Sequence, residues 1–177
     1  METVDLRYPI GKFQAKESYS KEEVAAFIHR IESLPLKLNI AVSTLNDKQL
    51  DTPYRDGGWT LRQVIHHMAD SHSNAYIRIK WTITESTPMI KAYDEKLWAE
   101  TPDASLPIFL SLNVLQALHA KMIAMAKVIP HDDLSKKFIH PESKKEVRID
   151  QMLGLYAWHG EHHLAHITSL KERKGWH

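Results

Sequence analysis

Between residues 150 and 173 the apolar stripe of a helix carries histidines, and few folds accept such a stripe. At roughly 100° per residue, Met152, Leu155, Tyr156, Ile167 and Leu170 share one face. His159 and His163 fall in the middle of that face, His166 near its edge, His162 further round, and Glu161 on the opposite side. Taking an imidazole out of water costs about 1–3 kcal/mol unless something inside the fold satisfies it. A shared metal ion would do so, and so would core carbonyls or waters; on this helix alone both readings stand. Residues four apart are neighbours on a helix, so the His159 and His163 rings can converge on one ion, with a third ligand supplied from elsewhere.

The rest of the chain reads as helices that could supply it. Ser20 to Glu23 is a capping box, followed by Val24, Phe27, Ile28 and Ile31 at helical spacing. Pro35 is expected to break or restart this helix near Ser33, with Leu38, Val42 and Leu45 continuing the stripe. Thr60 to Gln63 is a second capping box, with Trp59 and Val64 placed as a hydrophobic staple. The helix it opens carries Leu61, Val64, Ile65, Met68, Ala75, Ile79 and Ile83 on its apolar face. His66 points away from that face, while His67 sits at its flank, where a side chain can reach between packed helices. Leu115, Leu118, Met122 and Met125 mark another helix, ended by Pro130; His119 lies beside its stripe and reads as a packing residue.

The expectation is an all-α, four-helix bundle occupying 1–177 as a single domain, with helices at about 21–46, 60–86, 105–128 and 150–173. Residues 1–19 form an irregular arm across the surface. The stretch 46–58, dense in turn residues, is a structured loop; 93–98 reads as a short helix in a long crossover, and 136–149 as a small hairpin. A bundle gives His67 and the His159/His163 pair a common interior.

Composition narrows the function. A formal net charge of +1, from 23 Lys+Arg against 22 Asp+Glu, gives no electrostatic case for nucleic acid or a membrane surface. No uninterrupted apolar run approaches the roughly 20 residues of a membrane span. The absence of cysteine excludes disulfides, thiolate metal sites and a cysteine nucleophile, and fits a cytoplasmic protein. Three neutral imidazoles leave a divalent ion with open positions, which suits zinc, nickel or iron better than calcium or magnesium. Such a site can lower the pKa of bound water to about 7, or ionise a thiol, and a thiol would have to be a cosubstrate. The order His159-Gly-Glu-His-His163 is not the His-Glu-x-x-His of zincins, and Glu161 points the wrong way to act as their general base.

Gly57 through His72, with His67 and Asp70 inside it, and Gly154 through Ile167 together resemble the two signatures of the DinB-like superfamily, in particular its YfiT branch. The similarity extends through Asp51–Asp56, Tyr93–Lys96 and Gly175-Trp176, nearly the whole chain. The resemblance implies an up-down-down-up bundle, often a homodimer, with one divalent metal held by three histidines. Position by position these fall on His67, His159 and His163; other branches often carry glutamine at His166, which argues against His166 as a ligand. It implies metal-dependent hydrolases acting on a small molecule, and also S-transferases using a low-molecular-weight thiol such as bacillithiol. A non-enzymatic metal-binding stress protein is the third reading, and it requires a closed site without a cleft. Asp70 and His166 are candidates to orient a ligand by hydrogen bonding, and Tyr54 and Arg55 to contact substrate, Arg55 through a substrate carboxylate.

Overall fold

The protein is described by a computed structural model over residues 5–176. Helix α1 (Lys21–Val42) opens on Ser20, whose hydroxyl accepts from the Glu23 amide while the Glu23 carboxylate accepts from Ser20 N–H. Two short and three long helices follow: α2 (Asp47–Leu50), α3 (Leu61–Thr84), α4 (Glu95–Trp98), α5 (Phe109–Ala126) and α6 (Ile149–Lys174). Thr60 and Gln63 cap α3 reciprocally, and α6 stops at Gly175, whose left-handed backbone (φ 65°) releases the chain. Strands β1 (Lys137–Ile139) and β2 (Glu146–Arg148) form an antiparallel hairpin, pinned to the crossover where Ile139 N–H donates to the Pro88 carbonyl and Ile90 N–H to that of Ile139.

Side-chain pairs fix the direction of each long helix. Tyr19, Arg30 and Ala41 meet Asp150, Glu161 and Lys171 in that order, so α1 and α6 run parallel. His66 meets Ser111 and His72 meets His119, making α3 and α5 parallel, whereas His67 lies against His163 and Ser71 against Tyr156, making α3 and α6 antiparallel. The bundle is therefore up-down-down-up, with α1 and α3 diagonal to each other and α5 diagonal to α6.

Three boundaries depart from the sequence expectation. The first helix does not break at Pro35 but continues to Val42, because proline removes a single bond and buried Leu34 and Leu38 hold both sides of it in the core. The carbonyl that loses its helical donor, that of Ile31, accepts instead from His119 Nδ1 at 2.7 Å. Within the 46–58 loop, Asn46 and Gln49 form a capping box that starts the short helix α2. Helix α5 begins at Phe109 rather than near 105, since Pro102–Ser105 is a 3₁₀ turn and Pro107 cannot sit in a helix interior. Helix α5 is also the one described helix long and apolar enough, by length and composition, to cross a membrane; here it packs on α1 and α3 through Leu115, Met122 and Ala126.

The bundle holds two apolar cores. One joins Ile28, Ile31, Ile79, Met122, Met152 and Leu153, the other Leu38, Leu61, Ile65, Met68, Leu115 and Ile167. Where the two meet, α3, α5 and α6 contribute a layer of imidazoles, with His72 and His119 at 0% and 1% exposure. Residues 5–19 of the expected arm run along α6, residues 1–4 lying outside the described residues: Trp158 Nε1 donates to Gly11 O, and Gln151 Nε2 to Lys16 O.

Asp150, 1% exposed at the start of α6, accepts from Arg148 Nε and Nη2, from its neighbour Gln151 N–H and from Tyr19 N–H on the arm. Asp150→Ala strands these donors, and the expected loss is about 2–4 kcal/mol of unfolding free energy in urea titrations. A loss below about 1 kcal/mol would show that water replaces the carboxylate there.

Candidate metal centre

His67 projects from the second turn of α3 and is walled by Trp59, whose ring centroid lies 4.7 Å away. His159 and His163, one turn apart on α6, face it. The Nε2 atoms of His67 and His159 are 3.3 Å apart, and one ligand nitrogen from each of the three rings lies within 4.8 Å of the others. Two imidazole nitrogens at about 2.0–2.1 Å from a tetrahedral ion stand roughly 3.3–3.4 Å apart, so this pair has the spacing of a ligand edge. Burial depresses the pKa of all three, and the neighbouring imidazoles add to the effect: His67 falls from 6.5 to about 4, and His159 and His163 fall well below the ordinary value. Neutral imidazole is the ligand form, so the trio could hold a divalent metal ion. No fourth histidine or carboxylate joins it among the described residues.

His162, His163 and His166 form a second close group that shares His163. Ions in both groups would require both nitrogens of His163 as ligands, hence a deprotonated ring. Hydrogen bonding is the cheaper arrangement. His166 Nε2 lies 3.3 Å from the Arg7 carbonyl and must donate to it, which leaves His166 Nδ1 to accept from His163 Nδ1, also at 3.3 Å. The free lone pair of His163 is then on Nε2. His166 is thus placed to orient a ligand.

Tyr54 stacks on the His166 ring at 4.0 Å, and Arg55 turns its Nε to the Tyr54 hydroxyl and its Nη1 to Asp56 O, within the loop. Asp70 does not reach the trio; it lies on the α5 side with His66, Ser73 and Asp103, where burial and the Asp103 charge raise its pKa to about 6. Glu161 is bound to Arg30 on α1 through two bonds of 3.0 and 2.6 Å, clear of the centre.

A cleft of about 290 Å³ opens on His67 and His159 and is bounded by Ser71, Arg78, Tyr93, His140 and Tyr156. Arg78 Nε and His140 Nδ1 are buried there without a hydrogen-bond partner. Burial raises the pKa of Tyr93 to about 12 and that of Tyr156 as well, so both hydroxyls keep their protons. The sequence reading missed these residues. Ser71 and Arg78 follow His67 by four and eleven positions and so share its stripe to within roughly 40°, a relation visible in the sequence. His140 sits at the hairpin turn, where no periodicity could place it. A larger groove of about 1090 Å³ passes Arg62, Gln63 and Thr101 and contains none of the clustered histidines.

The family model described as the DinB superfamily matches residues 30–167. A protein of Bacillus subtilis (strain 168) named "Putative metal-dependent hydrolase YfiT" is 48% identical over 177 residues, covering 99% of each chain. One from Bacillus cereus (strain 03BB102), named "Putative metal-dependent hydrolase", is 51% identical over 172 residues, covering 97% of this chain and 99% of its own. The solved structure of the Bacillus subtilis YfiT, described as a probable metal-dependent hydrolase with an unusual four-helix bundle topology, superposes with a TM-score of 0.96 over 98% of this chain and 100% of its own. With helix order, directions and near-complete coverage in agreement, the chain belongs to the DinB superfamily.

Proposed function

We propose that the protein is a metal-dependent hydrolase of small molecules, with His67, His159 and His163 as the metal ligands. The observation that carries this reading is the three-imidazole cluster opening on a cleft, with no fourth side-chain ligand among the described residues. A purely structural metal site would be closed. Bound there, a zinc or nickel ion supplies the Lewis acidity that ionises water near neutral pH. The protein's own groups do the rest. Arg78 offers a buried, unpartnered Nε to an anionic or strongly polar group of the substrate, and the protonated hydroxyls of Tyr93 and Tyr156 donate to its oxygens. The names of the relatives, which specify hydrolase but no substrate, agree with the reaction class.

The test is hydrolysis of a panel of ester and amide substrates by the zinc- or nickel-loaded protein, with and without a low-molecular-weight thiol. Turnover that needs only water supports the hydrolase. Turnover that appears only with thiol, giving a thioether or thioester, replaces it with a thiol transferase. Arg78→Met is expected to raise KM for carboxylate-bearing substrates about 10–100-fold, the value of one charge-assisted bond, while leaving metal content unchanged. An unchanged KM for anionic and neutral substrates alike would remove Arg78 from the binding site.

A further inference from the structure

Behind His159 the imidazole layer continues into the core. His159 Nδ1 lies 3.3 Å from His72 Nε2, His72 Nδ1 lies 2.9 Å from His119 Nε2, and His119 Nδ1 lies 2.7 Å from the carbonyl of Ile31. The His72 and His119 rings are inclined by 18°, with centroids 4.8 Å apart. A carbonyl oxygen only accepts, so the proton of His119 must be on Nδ1. A neutral imidazole has one donor and one acceptor, which leaves His119 Nε2 to accept from His72 Nδ1 and His72 Nε2 to accept from His159 Nδ1. Both nitrogens of His119 and His72 and the Nδ1 of His159 are then satisfied, and only one assignment achieves this. We infer that His72 and His119 are positioning residues that fix His159 as its Nδ1–H tautomer, so that its Nε2 lone pair faces the metal site.

The anchor of this chain is made by Pro35. Its missing N–H leaves the Ile31 carbonyl without a helical donor, and that carbonyl receives His119. The proline inside α1 and the histidine inside α5 are thus two halves of one contact, and it ends at the ligand set. Burial holds His72, His119 and His159 below the ordinary imidazole pKa, consistent with three neutral rings. The far end of the chain is a carbonyl, which has no proton to exchange, so the relay orients and does not conduct. His163 is backed in the same manner by His166 and the Arg7 carbonyl, by an independent route.

The inference rests on the metal-site reading above, and its test separates the two. In ¹⁵N-labelled, metal-free protein at pH 7.5, long-range ¹H–¹⁵N correlation of the imidazole rings is expected to show Nδ1–H tautomers at His72, His119 and His159. An Nε2–H tautomer at any of the three would overturn the inference. In parallel, zinc affinity is measured by chelator competition and cobalt coordination by its visible absorption. His72→Leu is expected to weaken zinc binding about 10–100-fold, the usual effect of removing a partner of a ligand histidine, and to alter the cobalt spectrum. His72→Gln, whose carboxamide keeps one donor and one acceptor, is expected to restore most of the affinity. Equal affinity for wild type and His72→Leu, or no recovery in a folded His72→Gln, would overturn it. Failure of the wild-type protein to bind zinc or cobalt at all would instead strike the metal-site reading.

Discussion

His159→Ala is expected to reduce zinc or nickel from one ion per chain to a trace after dialysis, and His67→Ala and His163→Ala to do the same. Each removes one of three nitrogens from a site that has no fourth protein ligand to compensate among the described residues. Structural zinc sites with four ligands gain about 10–16 kcal/mol of apparent binding free energy, or about 3–4 kcal/mol per ligand, so losing one of three weakens binding on the order of 10²–10³-fold. Titration calorimetry and elemental analysis read this directly. The informative controls are neighbours on α6: His162→Ala, which alters a ring stacked on Trp158 at 4.5 Å, and Glu161→Gln, which alters the pair with Arg30, should both keep a full equivalent of metal. Metal retained by His67→Ala but lost in His162→Ala would move the centre to the second histidine group and leave His163 as the only shared ligand.

The helices and two of their caps could be read from the sequence because the residues that specify them are local. Ser20/Glu23 and Thr60/Gln63 declare helix starts within four positions, and the 3.6-residue stripe declares the buried side. The three clustered histidines were legible for the same reason, two on one stripe and one at a flank, together with the family resemblance. What was not legible depends on partners far away in sequence. Pro35 forbids one hydrogen bond by local rules, and only the packing of α5 on α1 brings His119 to the orphaned carbonyl. His72 lies inside a recognised motif, yet its role depends on its position between His119 and His159, 47 and 87 residues away. The sequence cannot show that Arg55 turns its Nε and Nη1 to Tyr54 and Asp56, nor that Arg78 is covered where the crossover folds over α3. The position of Asp70 has a simpler geometric reason. Three positions on from His67, at roughly 60° around the helix, it faces α5 and not α6.

The same imidazole layer makes the metal-free protein acid-sensitive in a defined window. His67, His72, His119, His159, His162, His163 and His166 all have pKa values lowered by burial, His67, His162 and His166 to about 4. The unfolded chain takes up a proton at each near 6.5, whereas the fold does not until about 4 or below. Between these values the unfolded state binds more protons, so stability falls as pH falls; above 6.5 both states are neutral at these sites and the dependence vanishes. The drop from 6.5 to about 4 at His67 alone corresponds to roughly 3 kcal/mol of preference for the neutral ring. His162 and His166, lowered to about the same value, add to this preference, so the total is comparable with the 5–15 kcal/mol that typically holds a domain folded. The expected result is cooperative acid unfolding of the metal-free protein between about pH 6 and 4, steep enough to report several protons, followed by circular dichroism. Excess zinc should shift the midpoint to lower pH, because protons must then displace the ion from His67, His159 and His163 as well as enter the core. A far-ultraviolet signal and melting temperature that stay constant from pH 7 to 4.5 would mean that the layer is hydrated enough to charge in place. In that case the rings would titrate near the ordinary imidazole value, and burial would not be what keeps them neutral.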